Sequence, residues 1–176
     1  MPSPRGTPRS ERVSEVRVRA AIKNDEAALG RYGGALMRLH YDLDPQRFIM
    51  VDQPEKGYGR FLVSQLDDPE SVVLVVEVDG EVLGYAFASL VGMSWMELRG
   101  PCGYVHDVYV DERARRSGVG SRLMRAAIEW LRAHGAPRVV LQSAARNPGA
   151  QHLFESLGFR HTMIEMTLEL GGPEPT

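Results

Sequence analysis

The sequence predicts a mixed α/β fold of α+β-like character, and three observations carry that prediction. Val16–Ala20 alternates with the period of two that marks a strand. The β-rich stretches Val72–Val78 and Val82–Leu90 flank Asp79-Gly80, a strong signal for a type I′ hairpin turn. From Gly118 the pattern changes to a helical period: Leu123, Ala127, Trp130 and Leu131 share one face, while Arg122, Arg125, Glu129 and Arg132 share the other.

The elements follow in order. Residues 1–15 are rich in Pro, Ser and Arg and bury too little to offset their ordering entropy, so they read as a flexible tail. After the first strand, Asn24 or Asp25 can cap a helix to about His40, in which the Gly33-Gly34 pair is a point of weakness and a candidate kink. Tyr41–Gly59 is loop-like, and a short helix follows over Gly59–Leu66. The hairpin comes next, then a connector at Gly92–Pro101 and a strand at Gly103–Val110. His134-Gly135 closes the amphipathic helix and Pro137 prevents its continuation. Val139–Leu141 reads as a short buried strand. Asn147-Pro148 starts a helix that stops at Gly158. Phe159–His161 and Met163–Leu170 supply the last strands, and 171–176 is a frayed end. The order β-α-α-β-β-β-α-β-α-β makes residues 16–170 one domain, as the length of 176 residues suggests.

Composition narrows the function classes. Hydrophobic residues are 43% and charged residues 25% of the chain, the balance of an ordinary soluble globular protein. Lys+Arg 21 against Asp+Glu 23 leaves a net charge of −2, which argues against a dedicated nucleic-acid binder. The longest aliphatic run, Val72–Val76, falls far short of the roughly 20 residues a membrane helix needs. With no apolar leader near the start, a cytoplasmic enzyme with neither membrane nor nucleic-acid partner is expected. The single Cys102 excludes an intramolecular disulfide, and His40, His134, His152 and His161 lack metal-ligand spacing, so no metal is expected.

The informative stretch is Val108–Met124, where a strand passes through a polar turn with two glycines into a helix. The first amides of a helix have no internal partner, and its dipole adds about half a positive charge there. Gly118 and Gly120 remove side chains that would keep a phosphate away. Arg113, Arg115, Arg116, Arg122 and Arg125 surround the turn with no intervening acid, describing a pyrophosphate cradle. A Rossmann fingerprint requires glycine or alanine at 123, where Leu123 stands, and a Walker loop requires Gly-Lys where Leu123-Met124 stand. Both spacings fail.

Arg115-Arg116-Ser117-Gly118-Val119-Gly120 resembles the [Q/R]xxGx[G/A] motif of the GNAT superfamily of acyl-CoA-dependent N-acetyltransferases. Asn147–Arg160, with Glu155, Leu157, Gly158 and Phe159 in register, resembles that family's second signature, and Val82–Ala86 fits its hairpin strand. The resemblance spans Val16–Leu170 in the family's order. It implies a central, mostly antiparallel sheet of six to seven strands with strands 4 and 5 splayed, flanked by about four helices. It also implies acetyl-CoA as co-substrate and direct acetyl transfer to a primary amine of a small molecule or peptide. A non-catalytic acyl-CoA sensor of the same fold is the alternative.

Residue by residue, the resemblance assigns pantetheine to the backbone of Val108, Tyr109 and Val110. The pyrophosphate falls to Arg115, Arg116, Ser117, Gly118, Val119, Gly120 and Ser121, and the thiol region to Asn147, Ala150 and Phe154. The catalytic candidates are His106 and Asp107. Strict alternation puts Tyr104, His106, Val108 and Val110 on one face, with Asp107 and Tyr109 on the other. His106 stands where several family members carry a basic Glu; it removes the proton of the amine or simply packs in the strand. Asp107 orients a neighbour or pairs with an arginine. Phe154 occupies the position of a tyrosine acid and has no proton to donate, so either Tyr109, Ser143 or water takes that role or the thiolate leaves unassisted.

Four further features carry bland and functional readings together. Cys102 is a bystander rather than an acyl carrier. Met93, Trp95 and Met96 form a hydrophobic loop, a subunit contact in a homodimer, or a surface that packs against substrate. Tyr32 and Tyr41 line an acceptor pocket if that pocket draws on the first helices. Asp42, Asp44, Asp52 and Glu55 attract a cationic amine or are simply solvated.

Overall fold

Alternating apolar positions need a facing layer on each side, and the chain supplies two. The computed structural model describes residues 15–170; the tails expected over 1–14 and 171–176 lie outside the described residues. The Asp79 N–H donates to the Glu15 carbonyl and the Glu15 N–H donates to Asp79 Oδ1, so Glu15, expected in the tail, belongs to the fold.

Five strands, β1 (Val16–Ala20), β2 (Ser71–Val78), β3 (Glu81–Val91), β4 (Cys102–Val110) and β5 (Val139–Leu141), form one sheet in chain order. β1 to β4 pair antiparallel and β5 joins β4 in parallel. The hairpin turn is as the sequence predicts: Asp79 and Gly80 both have positive φ, 51° and 84°, as a type I′ turn requires. Helices α1 (Glu26–Leu43) and α2 (Pro54–Ser64) cover one face, burying Leu29, Leu36 and Leu62 against Val73, Val75 and Phe87. Helices α3 (Val119–Ala133) and α4 (Pro148–Ser156) cover the other, with Leu123, Met124, Ala127 and Leu131 against Leu74, Val76, Ala86 and Val105. Arg19 ties three elements together, bonding Asp25 ahead of α1 and Glu77 on β2 at 2.6–2.9 Å.

Three expectations are corrected. α1 runs to Leu43, past the His40 expected, and is continuous through the Gly33-Gly34 pair. Its glycines face α2 instead: a Cβ at Gly30 would overlap the Glu55 carbonyl and one at Gly33 would overlap the Tyr58 ring. α2 begins at Pro54 rather than Gly59, with Pro in the first turn, where its missing N–H costs nothing.

The third correction is the strand count, five rather than six to seven. Phe159–His161 and Met163–Leu170 form no strand, and among the described residues no backbone hydrogen bond joins residues 160–170 to the sheet. The pattern of the segment is that of a strand, but a strand needs a neighbour to pair with, and among the described residues none pairs with it.

Candidate active site

The cleft begins where two strands part. β5 pairs only with Gly103, Tyr104 and Val105, while β4 continues five residues further alongside β3. Beyond Val105 the outer edge of β4 is therefore open. Asp111 N–H bonds the Leu83 carbonyl on β3 at 2.8 Å. By the alternation of an antiparallel ladder, Val110 and Val108 then turn their backbone groups to the open edge, and Tyr109 turns its own toward Tyr85. Of the three backbones expected at the pantetheine, Val108 and Val110 face the cleft and Tyr109 does not. The Val110 carbonyl already accepts from Arg115 Nε at 2.9 Å.

At the N-terminus of α3, Arg116 (φ 62°) and Gly118 (φ 81°) are both left-handed, and Gly118 is the N-cap. No side chain caps the helix and no acid stands in its first turn, so its amides are open to an anion. A Cβ on Gly118 would meet nothing within 4 Å, consistent with an open concavity there. Gly120 is different: a Cβ there would lie 3.4 Å from Leu153 and 3.8 Å from Val110, an ordinary contact that alanine would satisfy. Ser117 Oγ donates to the Ala114 carbonyl at 2.8 Å and holds the turn, while Val119 is buried and anchors it; Ser121 lies in the first turn of α3.

The five arginines separate. Arg113 is held by Asp111 and Glu81, and that pairing drives the Asp111 carboxyl well below its ordinary range. Arg115 bonds Val110, pairs with Glu112 at 3.3 Å and lies over the Tyr109 ring. Arg116, Arg122 and Arg125 have no carboxylate partner among the described residues and are exposed. The cradle is thus open amides and three uncommitted arginines rather than five.

The opposite wall corrects the alternation expected for β4. Pairing steps from Ala88↔Val105 to Phe87↔Asp107, so His106 is the extra residue of a β-bulge. Val105 and Val108 face α3, whereas His106 and Asp107 both turn toward α1 and α2. His106 is exposed, stacks on Phe87 (4.7 Å) and Tyr104 (4.9 Å), and shares a 2.7 Å hydrogen bond between Nε2 and Ser89 Oγ. Although the residue as a whole is exposed, its ring is partly desolvated against Phe87 and Tyr104, and this lowers its pKa below the ordinary value, favouring the neutral ring at pH 7.

Asp107 carries the largest carboxyl perturbation in the cleft. Burial raises its pKa to about 6, against the partly compensating hydrogen bonds of Tyr85 and Tyr58. Tyr85 is fully buried and its hydroxyl donates to Asp107 Oδ2 at 3.1 Å. Both phenols are raised above their ordinary range, mainly by burial. No arginine pairs with Asp107. Reading the chain misses Tyr58 and Tyr85. Tyr85 lies two strands' pairing away from the motif, and Tyr58 is placed by the missing Cβ of Gly33.

The remaining candidates are sorted by burial and partners. Asn147 Oδ1 accepts from Ala150 N–H at 3.1 Å, so its acceptor caps α4, with Pro148 in the first turn. Phe154 is 7% exposed and packs edge-on against Phe159 in the core. Tyr32 is buried, donates to the Val82 carbonyl and Asp111, and stacks on Tyr109, so it lines no open pocket; Tyr41 is exposed. Glu55 pairs with Arg38 and Asp44 bonds the amides of Gln46 and Arg47. Cys102 is buried under Arg99. Met93, Trp95 and Met96 are exposed at the tip between β3 and β4. Among the described residues no group of His, Cys, Asp or Glu is disposed to hold a metal, and no helix is long and apolar enough to cross a membrane.

Comparison with known proteins meets this geometry. The family model described as "Acetyltransferase (GNAT) family" matches residues 36–159. A mycothiol acetyltransferase from Acidothermus cellulolyticus is 33% identical over 136 residues, covering 69% of this chain but 41% of that protein. The chain thus spans less than half the length of that relative. A mutant form of the BH1408 protein from Bacillus halodurans shares the fold at a TM-score of 0.77 and 24% identity, over 88% of this chain and 99% of the other. An aminoglycoside N-acetyltransferase in complex with CoA superposes at 0.65 and 18% identity, over 92% and 99%.

Proposed function

Because the chain belongs to the GNAT family of acetyltransferases, we propose that residues 16–170 transfer an acetyl group from acetyl-CoA to a primary amine of a small molecule or peptide. The observation that carries this reading is the cleft itself. Open amides at the start of α3 and an open β4 edge lie on one side of a strand whose bulge presents a neutral histidine on the other. The fit to CoA rests on the left-handed pair Arg116 and Gly118, the absence of acid in the first turn of α3, and the uncommitted Arg116, Arg122 and Arg125. The CoA held by the aminoglycoside N-acetyltransferase of like fold supports it.

Acetyl-CoA, when bound, supplies the thioester whose C–S bond breaks as the amide C–N bond forms. The acceptor amine arrives mostly protonated, with a pKa of about 10.4 if lysine-like. With Ser89 accepting the Nε2 proton, His106 keeps Nδ1 as a free base and takes the proton of the amine, directly or through water. The Val108 N–H, directed to the open edge, donates to the oxygen that gains negative charge. Asp107, under Tyr85 and Tyr58, sets the polarity of the wall behind His106. Phe154 contributes packing alone, so Ser143, exposed after β5, or water returns the proton to the leaving sulfur. Mycothiol and aminoglycoside acetyltransferases, named among the similar proteins, support a small-molecule acceptor.

A thiol-release assay with purified protein, acetyl-CoA and a panel of amines tests the proposal. Amine-dependent release of CoA thiol is expected. Tight acetyl-CoA binding with no turnover of any amine would favour the sensor, and no thermal shift by acetyl-CoA would remove both readings.

A further inference from the structure

The wall that carries His106 is aromatic beyond the needs of the base. Phe61 on α2 stands edge-on to Phe87 of β3, with ring centres 5.7 Å apart and planes at 85°. Phe87 stacks on His106 at 4.7 Å, and Tyr104 lies 4.9 Å from the same imidazole at 34°. Three elements thus set four rings in one row, Phe61, Phe87, His106 and Tyr104.

The rings are not equally committed. Phe87 is 5% exposed and belongs to the core between the sheet and the first two helices. Phe61 is 47% exposed. The exposed positions of α2 are Lys56, Gly57, Arg60, Phe61 and Ser64, and Phe61 alone among them carries a large apolar side chain. Its ring is held in place by Phe87 while much of its surface stays free, two rings along from the base. The polar atoms beside the row are engaged already. Ser89 Oγ is bonded to His106 Nε2, and the Tyr85 and Tyr58 hydroxyls serve Asp107. A polyhydroxylated acceptor would give up water here and find few groups to replace it. An aromatic ring finds other rings at the spacing at which rings attract, about 4.5–7 Å between centres.

We infer that the acceptor carries its amine on a short chain from an aromatic ring, and that Phe61 is the residue that selects it. The ring packs on Phe61 and the exposed margin of the row, which leaves the amine at His106 Nδ1. This names the substrate class of the acetyl-transfer reading and rests on that reading for the amine at His106; occupation of the row by a ring does not depend on it. The hairpin tip is also apolar, with Trp95 77% exposed, but among the described residues no ring of another element packs on Trp95 to fix its place beside the base.

Two measurements on the full chain provide the test. The first is calorimetric titration of 2-phenylethylamine, hexylamine and glucosamine into protein saturated with CoA, a complex that cannot turn over. The second is thiol release from acetyl-CoA with the same amines. 2-Phenylethylamine should bind at least about 10-fold more tightly than glucosamine and about threefold more tightly than hexylamine. Phe61→Ala, at an exposed helical position where alanine is well tolerated, should weaken 2-phenylethylamine about 10-fold, and Phe61→Trp should restore it. In the kinetics the alanine change should raise KM for 2-phenylethylamine and spare kcat, a split that a general loss of folding would not give. Binding of 2-phenylethylamine no tighter than that of glucosamine would overturn the inference, as would a preference that survives Phe61→Ala or is lost in Trp95→Ala instead. Acetyl transfer would then still stand on the turnover of another amine. Ring binding that Phe61→Ala removes, with no amine-dependent thiol release, would do the reverse: the ring site would hold a ligand and the transferase reading would fall.

Discussion

The two walls of the cleft are built in different ways. On the α3 side, the turn from Arg115 to Gly120 makes its surface from backbone: two left-handed residues, an uncapped helix start and a glycine whose missing Cβ faces open space. On the β4 side the surface is made of side chains drawn from four elements. His106 and Asp107 come from the bulge of β4, Tyr85 and Ser89 from β3, Tyr58 from α2, and Gly33 of α1 makes room for the Tyr58 ring. One wall is a local conformation and tolerates change around it. The other is a packing solution, and each of its members depends on the rest.

Breaking the backbone wall should have the largest effect. Gly118→Glu puts a carboxylate and a Cβ where the amides gather, at a φ of 81°. Acetyl-CoA affinity should fall by about 1,000-fold or more, while the left-handed conformation costs only about 1–2 kcal/mol of stability. Calorimetric titration beside thermal melting separates the two, and retained affinity would disprove an anion site there.

On the packed wall the buried carboxyl should show in stability. Burial holds folded Asp107 near a pKa of about 6, above its ordinary 3.8, so the folded state binds this proton more tightly than the unfolded state. The stability it contributes is present below about pH 4 and lost as pH rises through about 6, roughly 3 kcal/mol in all. Asp107→Asn should abolish that fall. The comparison is best made in the His106→Ala background, because the lowered pKa of His106 titrates in the opposite sense. Denaturant curves at pH 4 and pH 7 that shift equally in both proteins would show Asp107 to be unperturbed.

His106→Ala should lower kcat/KM by at least about 100-fold and leave acetyl-CoA affinity unchanged. Wild-type kcat/KM should decline on acidification below pH 6.5, where His106 takes up a proton, and the variant should lack that limb. An acid limb that persists in the variant would move the base elsewhere, with Asp107 the next candidate.

The smallest effects belong to the arginines and sharpen the contrast between committed and open charge. Arg116→Asn keeps a residue tolerant of the left-handed region and should weaken acetyl-CoA about threefold, the range of an exposed charge pair. Arg113→Ala should leave affinity unchanged, since Asp111 and Glu81 already answer that charge. Equal losses from both would mean that the cluster acts through net charge alone.

The backbone wall was legible in the chain because everything it needs lies within a few residues. A positive φ at Gly118, a helix start without acid and the Asn147-Pro148 cap are local consequences of residue type. The packed wall was legible only in part. His106 and Asp107 were visible as polar residues in an apolar strand, but strict alternation set them on opposite faces. One extra residue in β4 against β3 brings them to the same face, and register is a property of two strands together. Tyr58 was invisible for a related reason: Gly33-Gly34 reads as weakness in an isolated helix and as a close approach once α2 is in place.

The sequence by itself determined the element order from β1 to α4, the hairpin, the glycine turn that opens α3 and the family resemblance, because local propensity and motif spacing do not depend on neighbours. Tertiary structure alone decided which arginines are free, which face His106 takes, and why a buried carboxyl titrates near neutrality. It also decided that Met163–Leu170, a strand by pattern, pairs with no strand among the described residues. A β-strand is stabilised by hydrogen bonds and burial that a second strand must supply, and that partner is not encoded in the alternation of the first.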